Sequence, residues 1–128
     1  MSLLVDTNGW IGFFEGSPDF GSAAKEFMIH RPQDCYISTA SIWEAAIKVG
    51  LGKLILPYDL KEDLPRLIVE NGFQKLGIDF EDAVEAKDLP RLHGDPFDRL
   101  QAIQARLRGW IVISRDPVFD DYGLKRIW

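Results

Sequence analysis

The sequence predicts an open α/β sandwich, a central parallel sheet flanked by helices on both faces and therefore three layers deep. Three observations lead there. Short apolar runs alternate with helical patterns along the chain, as parallel strands joined by right-handed crossovers require. The length of 128 residues suits one domain, spanning 1–128. Hydrophobic residues at 46% and charged residues at 27% describe an ordinary globular core, not a disordered chain.

Each element has its own reason. Ser2 to Val5 is a short apolar run ending at Asp6, which suits a buried strand. Thr7 to Glu15 carries Trp10, Ile11, Phe13 and Phe14, and Gly16-Ser17-Pro18 stops that helix. Gly21 to His30 places Ala24, Phe27 and Met28 on one helical face, and Pro32 ends it. Cys35 to Ser38 is the second strand. Thr39 to Val49 is a helix closed by Gly50 and Gly52. Leu54 to Pro57 is extended. Leu60 to Asn71 reads as a helix on Leu64, Leu67 and Ile68, Phe73 to Ile78 as the third strand, and Phe80 to Lys87 as a helix. After the break at Leu89-Pro90, Pro96 to Arg108 is a long helix with Phe97, Leu100, Ile103, Gln104 and Leu107 on one stripe. Trp110 to Ile113 is the fourth strand, Pro117 to Tyr122 a helical turn, and Leu124 to Trp128 a last extended stretch.

Composition narrows the function classes. The single cysteine, Cys35, excludes an internal disulfide and a Cys-rich zinc site, so a reducing, cytoplasmic setting is expected. It lies in an apolar strand and reads as inert. The first residues carry no basic region and no long apolar stretch, so neither a signal peptide nor a membrane association is expected. The net charge of −5 argues against a nucleic-acid partner, unless the acids gather around a metal instead of covering the surface.

The acids do gather. In an open parallel sheet the working site lies beyond the carboxyl ends of the strands. Asp6 closes the first strand and Asp116 follows the fourth. Glu44 lies early in the helix entered from the second strand, and Asp95 and Asp98 open the helix leading into the fourth. Four carboxylates about 6 Å apart repel by roughly 3 kcal/mol per pair at an effective dielectric near 20. Their total, about 17 kcal/mol, exceeds the roughly 5–15 kcal/mol of net stability a domain has. Protonation, exposure to water or a bound cation must relieve it. Oxygen-only ligands favour Mg²⁺ or Mn²⁺, and such an ion beside a cleft suits phosphodiester hydrolysis by an activated water.

Each acid also has a plainer role. Asp6, Asp95 (before Pro96) and Asp116 are good helix N-caps. Ser41-Ile42-Trp43-Glu44 spells a capping box, and Glu44 is spaced to pair with Lys48. Asp98 suits a helix first turn. His93 reads as a solvated loop residue that touches substrate or metal only as a second choice, and His30 as a helix C-terminal residue. Trp43, Trp110 and Trp128 read as core. Lys48, Lys53, Arg99 and Arg115 flank the acids and are candidate phosphate contacts, against the plainer role of a solvated face.

These residues resemble the PIN-domain family, and within it the VapC-type toxin ribonucleases. Val5-Asp6-Thr7-Asn8 resembles the family's opening, and Ser38 to Glu44 with Ala45 to Leu54 its second block. His93 to Arg99 with Gln101 to Ala105 resembles the third, Ile113 to Asp116 the fourth, and Tyr122 to Trp128 the ending. The resemblance implies a PIN-like fold and an endoribonuclease dependent on Mg²⁺ or Mn²⁺. It implies Asp6, Glu44, Asp98 and Asp116 as the catalytic, metal-holding quartet, with Asp95 left open as a further ligand. Thr7 and Ser114 match supporting positions, and Lys48, Arg99 and Arg115 remain the RNA-binding candidates. It also implies an RNA substrate, a cognate antitoxin and a homodimer. Gly94 and Gln101 depart from the family pattern, Gly94 where a basic residue is expected and Gln101 where an aliphatic one is. Two other classes compete. A receiver domain needs paired acids after the first strand and a phosphoacceptor ending the third, but Thr7-Asn8 and Ile78 stand there. A non-catalytic binding module on the same fold is separated by whether the chain takes up Mn²⁺.

Overall fold

The computed structural model describes residues 1–90 and 95–128. His93 and Gly94 lie outside the described residues. The chain alternates as predicted: β1 (Leu3–Val5), α1 (Thr7–Glu15), α2 (Ser22–His30), β2 (Cys35–Ser38), α3 (Thr39–Gly50), α4 (Leu64–Glu70), β3 (Gln74–Leu76), α5 (Phe80–Glu85), α6 (Pro96–Arg108), β4 (Ile111–Ile113), α7 (Val118–Asp121) and β5 (Arg126–Ile127). A 3₁₀ turn at Pro32–Asp34 leads into β2. All pairings are parallel, in the order β3-β2-β1-β4-β5. The chain thus builds outward from β1 to β3 and then returns to the other side of β1. The reversal lies between β1 and β4, the place at the carboxyl edge where open sheets of this kind bind their ligands.

Strand alternation makes the three layers. Leu3, Val5, Ile37 and Ile113 point to one face and pack with Trp10, Ala24, Met28 and Ile68 from α1, α2 and α4. Leu4 and Val112 point to the other and pack with Ala102, Ile103, Ala105 and Phe119 from α6 and α7. Successive side chains on a strand face opposite ways, so a continuous apolar run fills two cores at once.

Three expectations need correction. The helix expected from Leu60 begins at Leu64. The Asp59 carboxylate accepts the amides of Lys61 and Glu62, both at 2.8 Å, and closes a separate turn. Pro65 has no N–H with which to extend the ladder back into that turn. In α6 the buried residues run from Gln101 to Ala105, while Leu107 is exposed. This helix packs against β1, α3 and α5 together, so its inward arc is wider than one apolar stripe and includes both glutamines. Trp43 is 55% exposed rather than core. Ala40, Ser41, Glu44 and Ala45 take the inward face of α3, which leaves Trp43 and Ile47 outside. Trp110 and Trp128 are half-buried, against Tyr36 and Phe20.

Candidate active site

Val5, Ile37 and Ile113 are paired in register, so the three central strands end at one level. The Asp6 amide donates to the Ile113 carbonyl at 3.1 Å, tying β1 to β4 where both stop. Asp6 caps α1: its Oδ1 accepts the Gly9 amide at 2.7 Å. A Cβ on Gly9 would come within 2.8 Å of that oxygen, so glycine permits the close approach. Asp6 Oδ2 accepts the Ser114 hydroxyl at 2.5 Å. Ser114 Oγ in turn accepts the Asp116 amide, and Asp116 Oδ1 accepts the Val118 amide, both at 2.9 Å. Ser114 therefore holds Asp6 and the loop carrying Asp116 together.

Glu44 is 6% exposed. Thr7 donates its hydroxyl to Oε1 at 2.6 Å and Lys48 its ammonium to Oε2 at 2.7 Å. The predicted i+4 pair is thus present. The predicted capping box is not, because the N-cap of α3 is Ser38, which accepts the Ala40 amide. Ser41 lies inside the helix, donates to the Ser38 carbonyl and accepts the Trp10 indole N–H.

Asp95 caps α6, accepting the Phe97 amide at 2.8 Å and the Asp98 amide at 3.3 Å, ahead of Pro96 in the first turn. No hydrogen-bond donor reaches the Asp98 carboxylate among the described residues. One turn further, Gln101 is fully buried and donates to Thr7 Oγ1 at 3.4 Å and to the Phe97 carbonyl at 3.3 Å. With a lone pair of Thr7 so engaged, the hydroxyl proton is directed to Glu44.

These acids feel one another. Burial, helped by the charges of Asp116 and Glu44, pushes Asp6 up to about 6 against the opposing bonds from Ser114 and Gly9. Burial pushes Asp98 up to about 7, and the charges of Asp95, Glu44, Asp116 and Asp6 add to it. Lys48 is pushed up by its bond to Glu44, with the fields of Asp95 and Asp98 adding. Five acids from four separate stretches therefore share one field. Among the described residues, no three His, Cys, Asp or Glu side chains stand close enough to hold a metal ion as placed. The chemistry of the donor set still fits a hard divalent cation: the donors are all oxygens, and no lysine or arginine neutralises Asp6 or Asp98 among the described residues.

The basic candidates divide. Lys48 faces the acids. Arg99 donates to the carbonyls of Pro90, Leu89 and Ala86, so its guanidinium is occupied by main chain. Arg115 is exposed beside Asp116. His30 ends α2 and pairs with Glu26 at 3.2 Å. Cys35 is buried, with its thiol pushed up to about 12 by burial first and the Asp34 charge second. Sequence reasoning did not foresee a second buried polar cluster, in which Ser38 donates to Gln104 and Arg108 donates to Asp82 at 2.8 and 3.1 Å. The one signal was the run of polar residues at 101, 104 and 108, spaced to share a helical face.

Among the described residues no helix is long and apolar enough to cross a membrane. No match to a curated protein sequence was found. The chain is similar in structure to the DNA-bound VapBC of Salmonella typhimurium, with TM-score 0.73 and 18% identity over 99% of this chain and 97% of that one. It is also similar to VapBC2 of Rickettsia felis bound to promoter DNA, with TM-score 0.69 and 14% identity over 99% and 98%. For FitAcB of Neisseria gonorrhoeae the TM-score is 0.65, with 19% identity over 98% and 96%. At these identities the likeness concerns the fold. The family model described as PIN domain matches residues 3–125. Together with the parallel sheet and the acids at its carboxyl edge, that match makes the chain a member of the PIN domain family.

Proposed function

We propose that this chain is a divalent-metal-dependent endoribonuclease, the VapC-type toxin half of a toxin–antitoxin pair. One observation carries the reading. Asp6 and Asp98, from opposite ends of the chain, are half or fully buried, share a field with Glu44 and Asp116, and are pushed up to about 6 and about 7. Membership of the PIN family and a toxin–antitoxin complex among its structural neighbours support it.

Asp6 and Asp98 would hold the ion, Glu44 and Asp116 would complete the set directly or through water, and Asp95 offers a further oxygen. A bound Mg²⁺ or Mn²⁺ would supply positive charge at the scissile phosphate and lower the pKa of a bound water. The protein's own part is orientation. Ser114 fixes the rotamer of Asp6, and Thr7, aligned by Gln101, fixes Glu44. Burial keeps these carboxylates in a medium where charge counts for more than in bulk water. Water as nucleophile leaves 5′-phosphate and 3′-hydroxyl ends. A cognate antitoxin and a second copy of the chain complete the proposal as partners.

The test is digestion of total RNA with Mn²⁺, with EDTA, and with Asp6→Asn. EDTA and the substitution should each abolish cleavage. Full Mn²⁺-dependent activity in Asp6→Asn would overturn the assignment. Absence of Mn²⁺ uptake by calorimetry at millimolar concentrations would favour a non-catalytic binding module.

A further inference from the structure

A cavity of about 720 Å³ opens at the end of the sheet away from the candidate acids. Ser2 precedes β1, Trp110 and Ile111 stand at the start of β4, and Leu124 and Lys125 lead into β5, so the opening lies at the amino edge. Arg106, in the last turn of α6, adds to its wall. Asp6 and Asp116 lie beyond the carboxyl ends of β1 and β4 and take no part in this lining.

The charges here have one sign. Arg106 and Lys125 are exposed, and no aspartate or glutamate lines the cavity among the described residues. Their neighbours Arg108 and Arg126 are spent on Asp82 and Asp120. The Arg106 guanidinium and the Lys125 ammonium have no ion-pair or hydrogen-bond partner among the described residues. Neither do the Ser2 hydroxyl and the Trp110 indole N–H. Arg106 also offsets the carbonyl end of α6, the plain role of a cation in a last turn. That role does not extend to Lys125, in a chain that carries −5 overall. Guanidinium, ammonium and indole only donate hydrogen bonds, so together they select an anion with several acceptor oxygens.

The rest of the lining selects what carries the anion. Trp110, Ile111 and Leu124 are half-buried, so part of each remains open to the cavity. Tyr36 holds the Trp110 ring at 4.5 Å between centroids, and the Arg108 guanidinium lies 5.8 Å from its centre. The volume falls within the range of small-ligand sites, about 300–1,000 Å³, and is more than a bare oxyanion fills. A flat ring system joined to a phosphate matches both halves of the lining. We propose that the amino edge of the sheet holds a nucleoside monophosphate, with its phosphate between Arg106 and Lys125 and its base against Trp110, Ile111 and Leu124. The site is separate from the acids and does not rest on the ribonuclease reading.

The experiment is calorimetric titration of the full chain with uridine 5′-monophosphate in EDTA, which leaves no divalent ion at the carboxyl edge to draw the phosphate there. Saturable binding is expected. Arg106→Gln should weaken it about tenfold and Lys125→Gln about fivefold, both exposed changes with small risk to folding. Uridine, which lacks the phosphate, should bind at least about tenfold more weakly. Short oligouridylates separate two sources of the same chemistry. Preference for the 5′-phosphorylated over the 5′-hydroxyl oligomer supports the site as a holder of RNA ends, and weak binding of both beside the monophosphate supports it as a site for free nucleotide. Inorganic phosphate binding as tightly as the monophosphate overturns the nucleotide assignment. Absence of binding, or unchanged affinity in both variants, overturns the site. Loss of binding in Arg106→Gln that accompanies a change of oligomeric state on light scattering reassigns the face to contact between copies and overturns the proposal.

Discussion

Two aspartates in this molecule are almost equally buried, Asp6 at 5% exposure and Asp82 at 1%, and they titrate in opposite directions. Burial pushes both upward. At Asp82 it is outweighed by bonds from Arg108, the Asp79 amide and Gln104, so the carboxyl lies below its usual range. At Asp6 only a hydroxyl and an amide oppose it, neighbouring carboxylates add to it, and the carboxyl rises to about 6. The difference is one guanidinium. An acid that serves architecture is given a permanent cation, whereas Asp6 and Asp98 have none among the described residues. Neutral donors can orient a carboxylate but cannot discharge it, and the exchangeable ion of the proposed function would do so.

The harshest way to break the comparison is to take the cation away from Asp82. Arg108→Met should cost about 3–5 kcal/mol, the usual penalty for orphaning a buried charge. Urea denaturation measures it, and adding Asp82→Asn to the same chain should recover most of the loss. Full stability in Arg108→Met alone would mean that Asp82 is not the structural acid described.

Acidity separates the two acids next. A carboxyl whose folded pKa lies above its unfolded one binds its proton more tightly in the folded chain. The stability it contributes is therefore fully present below about pH 4 and is lost as pH rises through the folded values near 6 and 7. In EDTA the rise at Asp6 alone should cost the chain about 3 kcal/mol between roughly pH 4 and pH 8, with Asp98 adding to the loss, and on the proposed reading Mn²⁺ should restore it at the upper end. Asp82, with its lowered pKa, contributes in the opposite sense, losing stability only as pH falls toward its own value. A thermal melt series with and without Mn²⁺ reads both.

Asp6→Asn should raise metal-free stability at about pH 8 by roughly 1–3 kcal/mol, since asparagine still caps a helix and carries no charge. Destabilisation in EDTA would contradict the repulsion described. The smallest change is Thr7→Val, which removes one charge-assisted bond to Glu44 and should cost about 1.5 kcal/mol. Its larger effect should appear in Mn²⁺ affinity by calorimetry, because Glu44 then keeps only Lys48 to orient it.

The sequence carried the α/β alternation because its caps are local: Asp6, Asp95 and Gly109 mark helix ends by their own chemistry. Asp6, Asp95, Asp98 and Asp116 were legible for the same reason, each following a strand or opening a helix, whereas Glu44 lies a turn and a half inside α3. The plainer readings of those acids also hold, as Asp6, Asp95 and Asp116 do cap amides. Capping and gathering at one edge are therefore compatible roles. Tertiary partners were not legible. Trp43 reads as core by composition, but which face of α3 turns inward depends on helices far away in the chain. The buried glutamines of α6 look like surface residues until Ser38 and Thr7 are brought to them.

The bond from Ser114 to Asp6 joins residues 108 positions apart. A ribosome must therefore deliver nearly the whole chain before the first carboxylate of the site finds its support. A prematurely stopped product that lacks β4 has neither Ser114 nor Asp116, so on the proposed assignment it would be inert however much of the remaining sheet it forms. If the proposed activity holds, competence would arrive late and all at once, and only finished copies of the chain would cleave.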